Sequence, residues 1–241
     1  MKEKSERIFY YLSTGVYGLL AAYFALILIT SLAWNLIRMC LIVGSDWMVN
    51  GNYMGFFAGF VAYILYWVIL KVFRLDHNLN WFKKFTHELT HTLVALVFFA
   101  KIHKFVVMER ECNVYYEARV GYVPITLSPY CIPIYTLMLF PFRLAGDSSY
   151  LIIFDFLITF TYAFHLNTFV EQTSYSQKDI KGCGKALSTA FIIFAHIVVA
   201  SLIVAIPNAG VLNAVKRVFW EYPVAMLTDT YAWYHDVIKY Y

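Results

Sequence analysis

The sequence predicts a mainly α-helical, polytopic membrane protein: a transmembrane bundle of about six segments with a short β-rich re-entrant insertion. Three observations predict it. Hydrophobic residues make up 61% of the 241 residues and charged residues only 14%, where the surface of a soluble domain needs roughly a quarter charged. Mean hydropathy is +0.61. The apolar residues also gather into runs, enough for about six spans of roughly 20 residues each. No internal repeat or low-complexity segment interrupts them.

The first element is an apolar run from Val16 to Ile37, closed by Arg38. It is too long for the core of a cleaved signal peptide and reads as a retained span. After the polar stretch GSDWMVNGNY, a second span covers Met54 to Phe73, bounded by Lys71 and Arg74. RLDHNLNWFKKF then reads as a polar connection. The third apolar segment, Phe85 to Ala100, is short: as a helix it covers about 24 Å, less than the roughly 30 Å of hydrocarbon. HKFVVME, NVYYEA and GYVPITL follow, β-branched and aromatic, and read as short strands. Apolar helices resume at Leu127 to Phe142, which holds Pro129, Pro133 and Pro141, and at Tyr150 to Val170. EQTSYSQKDIKGCG is a polar loop before a last span, Lys185 to Ile206, which Pro207 is expected to stop. Residues 1–206 therefore form the transmembrane domain and 207–241 an interfacial C-terminal tail.

Charge and cysteine usage exclude several classes. A net charge of +4 with no Lys/Arg run on a polar surface gives no nucleic-acid footprint; the basic residues flank apolar runs as topology signals. The four cysteines (Cys40, Cys112, Cys131, Cys183) are far apart and form neither a disulfide framework nor a thiolate metal site.

The chemistry sits in the third segment, as His87-Glu88-Leu89-Thr90-His91, an H-E-x-x-H motif. Residues four apart share one helix face, so both imidazoles can reach one zinc ion. Glu88 lies beside that face, placed to take a proton from a water on the metal. An acid and two histidines are expensive in an apolar helix and are functional by default. One H-x-x-x-H pair among 7 His is too few for a two-iron histidine-box oxidase.

FTHELTHTLVALVFF is similar to the metal-binding helix of site-2 proteases, intramembrane zinc metalloproteases in which a β-rich segment follows that helix, as residues 101–126 do here. Their third ligand is usually an Asp in an N-x-x-D-G type motif at the start of a later core helix. The nearest match is Asp179 in SQKDIKGCG, where the motif is not intact. The pairing of FHLNT with SQKDIKG resembles divergent bacterial branches, and the resemblance covers roughly residues 80 to 200. It implies one zinc ion, a transmembrane protein or peptide as substrate, and a multi-pass location in a bacterial inner membrane.

Three residues compete as third ligand: Asp155, His165 and Asp179. If residues 85 to 100 cross fully, Asp155 returns to the level of His87. If the short helix and its strands are re-entrant, His165 and Asp179 do. Re-entry places the basic residues of the N-terminus and of 71–84, 101–119 and 178–185 on one cytoplasmic face, leaving Arg38, Arg143 and the tail cations outside. This favours Asp179 as ligand, with His165 next, as ligand or as partner to a ligand. Asp155 otherwise serves as a buried carboxyl bonded to a neighbouring helix. Asn167 is a candidate for binding substrate backbone. His77 and His235 read as solvated, His103 as bordering the cleft or standing at a strand edge, and His196, alone in the last span, as a hydrogen-bonded core histidine. The strands could pair with an unwound substrate segment.

The expected activity is hydrolysis of a peptide bond within or next to a transmembrane segment, with zinc on His87, His91 and Asp179 and Glu88 as general base. The alternative is a catalytically inactive membrane scaffold or sensor that retains the metal site. Oligomeric state stays open.

Overall fold

A computed structural model describes residues 53–108, 112–117, 121–225 and 227–229, with scattered helical positions between 26 and 37. The predicted first span, most of the GSDWMVNGNY connection and the tail beyond 229, His235 included, lie largely outside them. The described chain runs α1 (Met54–Val72), α2 (Asp76–Val97), β1 (Lys101–Val107), β2 (Cys112–Glu117), α3 (Tyr122–Cys131), α4 (Ile134–Ala145), α5 (Leu151–Gln172), α6 (Lys178–Cys183) and α7 (Lys185–Lys216), then a π-helical turn, Arg217–Glu221. It is mainly helical, with one two-stranded antiparallel sheet.

Three helices are long and apolar enough to cross a membrane: Met54–Val72, Ser148–Gln172 and Lys185–Asp229. α3 and α4, bent by 80° at a short break, make a fourth when taken together. Among the described residues the count is therefore three or four, against the six expected for the whole chain. Taking the bent pair as one span, two of the six are missing, and the expected first span, largely outside the described residues, is one of them. The other is α2, whose first half carries Asp76, His77, Lys83 and Lys84.

α1 and α5 form the closest helix pair. Gly55 and Gly59 let the backbones meet, since a Cβ at either would collide with the Ile152 or Phe156 carbonyl. Small residues four apart are the usual device for such an approach between apolar helices. α5 in turn packs on α7 through Ile158 and Tyr162 against Leu202, Ile203, Ala205 and Ile206.

Several sequence expectations need correction. RLDHNLNWFKKF is mostly helix: α2 begins at Asp76, nine residues before the expected Phe85. Leu79, Lys83, Thr86, Thr90 and His91 recur at helical spacing and are buried, so the polar residues continue one helix face. GYVPITL is not a strand but the start of α3. Its Pro124 stands in the first turn, where the missing N–H has no intrahelical partner anyway. The expected single helix Leu127 to Phe142 breaks at Ile132, which is extended (φ −109, ψ 107), the conformation a following proline imposes. The loop EQTSYSQKDIKGCG contains α6. Pro207 does not stop α7; the backbone leaves helical geometry at Gly210 (φ 74, ψ 166) and resumes, with Val211, Ala214 and Val218 still in the core shared with α5. His196 is the one histidine of α7, as expected, and its ring lies 5.6 Å from that of His165 and 4.5 Å from Phe169 on α5.

α1 and α2 each end without glycine, on Arg74 (φ 56) and Phe99 (φ 54). At both, the next amide bonds back to a carbonyl five residues earlier, Leu75 to Leu70 and Ala100 to Ala95, a left-handed cap that satisfies the last carbonyls. The second cap turns the chain out of α2 directly into β1.

At the α4–α5 junction, Arg143 donates from Nε to Asp155 Oδ1 (2.7 Å) and from Nη2 to Oδ2 (3.3 Å), with both residues buried. Removing one partner of such a pair costs about 3–5 kcal/mol, because the other charge is left uncompensated. Arg143→Met is expected to destabilise the protein by about that much in detergent-based unfolding. Arg143→Met combined with Asp155→Leu should recover most of the loss.

Candidate metal centre

Two elements supply the side chains of the centre and a third, α3, orients them. α2 carries His87 and His91 one turn apart, rings 4.9 Å between centroids. α6 brings Asp179 to them: its Oδ2 lies 3.6 Å from His87 Nε2 and 3.6 Å from His91 Nε2. The three ligand atoms fall within 4.8 Å of one another. A tetrahedral ion with bonds of about 2.0–2.1 Å spaces its ligands roughly 3.3 Å apart, so the donors stand close to the spacing one metal ion requires. Among the described residues this is the one group of three or more His, Cys, Asp or Glu side chains gathered in this way.

Neighbours orient each ligand. His91 Nδ1 lies 2.9 Å from the Ile125 carbonyl of α3. A carbonyl only accepts, so Nδ1 carries a proton, which leaves Nε2 as the ring atom that faces Asp179 and can ligate, the arrangement metal-ligating histidines use. His87 Nδ1 is 3.2 Å from Gln172 Oε1 at the end of α5, and the same argument frees its Nε2. The single hydroxyl proton of Tyr130, on α3, is shared between Gln177 Oε1 (2.8 Å) and Asp179 Oδ2 (3.1 Å). Burial by itself would raise the Asp179 carboxyl, but the imidazoles of His87 and His91 outweigh it and hold the group below the ordinary carboxylate range. It is thus an anion at neutral pH, as a metal ligand must be.

Glu88 is next to this group and buried (9% exposed). Its carboxylate stands within electrostatic reach of His87, His91 and Asp179, with the backbone of Val114 on β2 nearby. The hairpin therefore closes over the side of the centre where Glu88 stands, with Tyr116 Oη 3.0 Å from Thr126 Oγ1 tying β2 to α3.

Of the sequence candidates, His87, His91 and Asp179 are brought together and Glu88 flanks them. Asp155 is not part of the group: it is committed to Arg143. His165 is not part of it either; it is buried on α5 and lines a small cavity that also touches His87. Asn167 faces α2, accepting from Lys83 Nζ at 2.8 Å. Lys83, 1% exposed, also bonds Glu171 Oε2 at 2.7 Å. Sequence reasoning missed Lys83, Gln172 and Tyr130. Lys83 had a signal, four residues before His87 on the same helix face; Tyr130 had none, since a tyrosine in an apolar run looks like packing.

The chain matches no family model, no curated protein and no solved structure.

Purified protein is expected to hold one divalent ion per chain in metal analysis. His87→Ala, His91→Ala and Asp179→Ala should lose it, while Asp155→Asn should keep it. Tyr130→Phe should weaken binding by about ten- to a hundredfold, the usual effect of removing a partner that orients a ligand. Occupancy should fall as pH is lowered, because protons compete for the ligand atoms.

Proposed function

We propose that this chain is an intramembrane zinc metalloprotease of the site-2 type, residing in a bacterial cell membrane and hydrolysing a peptide bond within or next to a transmembrane segment of its substrate. The observation that carries the reading is the convergence of His87, His91 and Asp179 with Glu88 beside them, in a chain whose helices are apolar enough to span a bilayer. Two neutral imidazoles and one carboxylate are a common ligand set for catalytic zinc, which keeps its fourth position open.

A bound zinc supplies Lewis-acid chemistry, polarising a carbonyl and making a water nucleophilic near neutral pH. The chain does the rest. Glu88 receives the proton of the attacking water and returns it to the leaving amine, the role its place beside the ligands suits. Tyr130, already donating to Asp179, keeps that carboxylate oriented through the cycle. His91, tied to the Ile125 carbonyl, cannot rotate away from its ligand position. The β1–β2 hairpin, reaching Glu88 through Val114, offers backbone groups to an extended substrate segment, and strand pairing is how such edges hold peptides.

Glu88→Gln tests the mechanism. It should retain the metal and lower cleavage of a labelled single-span membrane protein by about 10²–10⁴-fold or more, the usual contribution of a general base. Cleavage that persists in this variant sinks the proposal. Intact cellular function in the same variant would instead support a scaffold or sensor.

A further inference from the structure

A small cavity adjoins the metal centre between α2, the α3–α4 bend and α5. Its polar lining is Thr86, His87, Thr90, Thr161, His165 and Thr168. Its volume, about 10 Å³, is the room that the centre of one water molecule needs. Two features point to an occupant. His165 Nε2 is buried and has no hydrogen-bond partner among the described residues, a situation that is costly if left unrelieved. The nearby hydroxyls have already spent their protons within their own helices: Thr90 donates to the Thr86 carbonyl (2.7 Å) and Thr168 to the Phe164 carbonyl (2.9 Å). Each therefore offers lone pairs to the cavity. A water accepting from His165 and donating to Thr90 and Thr168 makes three hydrogen bonds, the number buried waters typically make.

The neighbouring large cavity, about 650 Å³, is different in kind. It shares Tyr135, Thr161 and Phe164 with the small one but is otherwise lined by aromatic and aliphatic side chains such as Tyr63, Leu79 and Phe160.

We propose that this chamber is an internal water site anchored by His165, Thr90 and Thr168, and that it supplies the water consumed at the adjoining centre. The supply role rests on the hydrolytic reading above; the water site does not. His165 is a positioning residue here, not a metal ligand.

The test is radiolytic hydroxyl labelling of the full-length, zinc-loaded protein in detergent, with ¹⁸O-water exchange, alongside metal content and cleavage kinetics. Labelling is expected at the buried lining residues Pro133 and Ile134, well above that of the fully buried core residue Leu127, with slow exchange. It should be lost in His165→Phe, kept in His165→Gln and reduced in Thr168→Val, all with zinc retained. kcat should fall roughly tenfold in His165→Phe at unchanged KM, the size of one lost hydrogen bond, and recover in His165→Gln. Lining residues labelled no more than Leu127 in the wild type overturn the water site, as does zinc loss in both His165→Phe and His165→Gln. Loss of labelling without loss of kcat overturns the supply role. If the wild type cleaves nothing, the supply role falls with the hydrolytic reading, and the labelling decides the site by itself.

Discussion

The meeting of the Asp179 carboxylate with the imidazoles of His87 and His91 is the contact around which the site-bearing half of the molecule is arranged. A half-buried carboxylate is stabilised by a cationic or metal partner and by further donors, and here the elements nearby supply them. α6 has only six residues, Lys178–Cys183, too few to hold a position unaided. Ile180, 1% exposed, pins it among Leu127, Tyr130, Cys131 and Ile192. Tyr130 then bonds Asp179 itself, while Ile125, one turn earlier on α3, receives His91. One short helix thus orients a ligand from each of the two elements that meet at the centre. This explains why α3 is buried along most of its length although it lies between a surface hairpin and a bend.

A second set of polar contacts joins α2 to α5. Lys83 meets Asn167 and Glu171, His87 meets Gln172, and threonines on both helices bond back to their own carbonyls. Polar side chains in an apolar bundle are costly unless satisfied internally, so this seam is a poor way to gain stability. What it confers is register. Sliding α2 by one turn would leave Lys83 and Glu171 unpaired and carry His87 away from Asp179. The Arg143–Asp155 pair serves the same end at the α4–α5 junction. Apolar contacts such as Gly55 and Gly59 against α5 bring the helices close, and the polar pairs decide where along each other they stop.

The hairpin completes the enclosure. Phe99, in the left-handed conformation, reverses the chain at the end of α2, so β1 and β2 fold back along the helix that carries the motif. The edge-to-face contact of Phe85 with Phe105 and the cluster of Ala95, Ala100 and Ile125 with Tyr116 hold it there. Glu88 and β2 are thereby brought to the same side of the candidate centre.

The amino-acid sequence by itself determined what depends on composition and short spacing. The apolar runs at 54–73 and 150–170, two of the three strands expected after the motif helix, and the pairing of His87 with His91 follow from hydropathy, residue type and a four-residue repeat. Asp179 could be singled out but not separated from His165 and Asp155, because the choice turns on which elements return to the level of His87. The tertiary structure decided that, along with the extent of α2, the break at Ile132 and the passage of α7 through Pro207. In each case the deciding energy comes from partners remote in the chain. Lys83 is tolerable in a helix because Glu171 is opposite, and Asp155 is withdrawn from the metal centre because Arg143 claims it. Such pairings are invisible to local pattern, since a buried charge is stabilised by where its partner lies in space and not by how far away it lies in sequence.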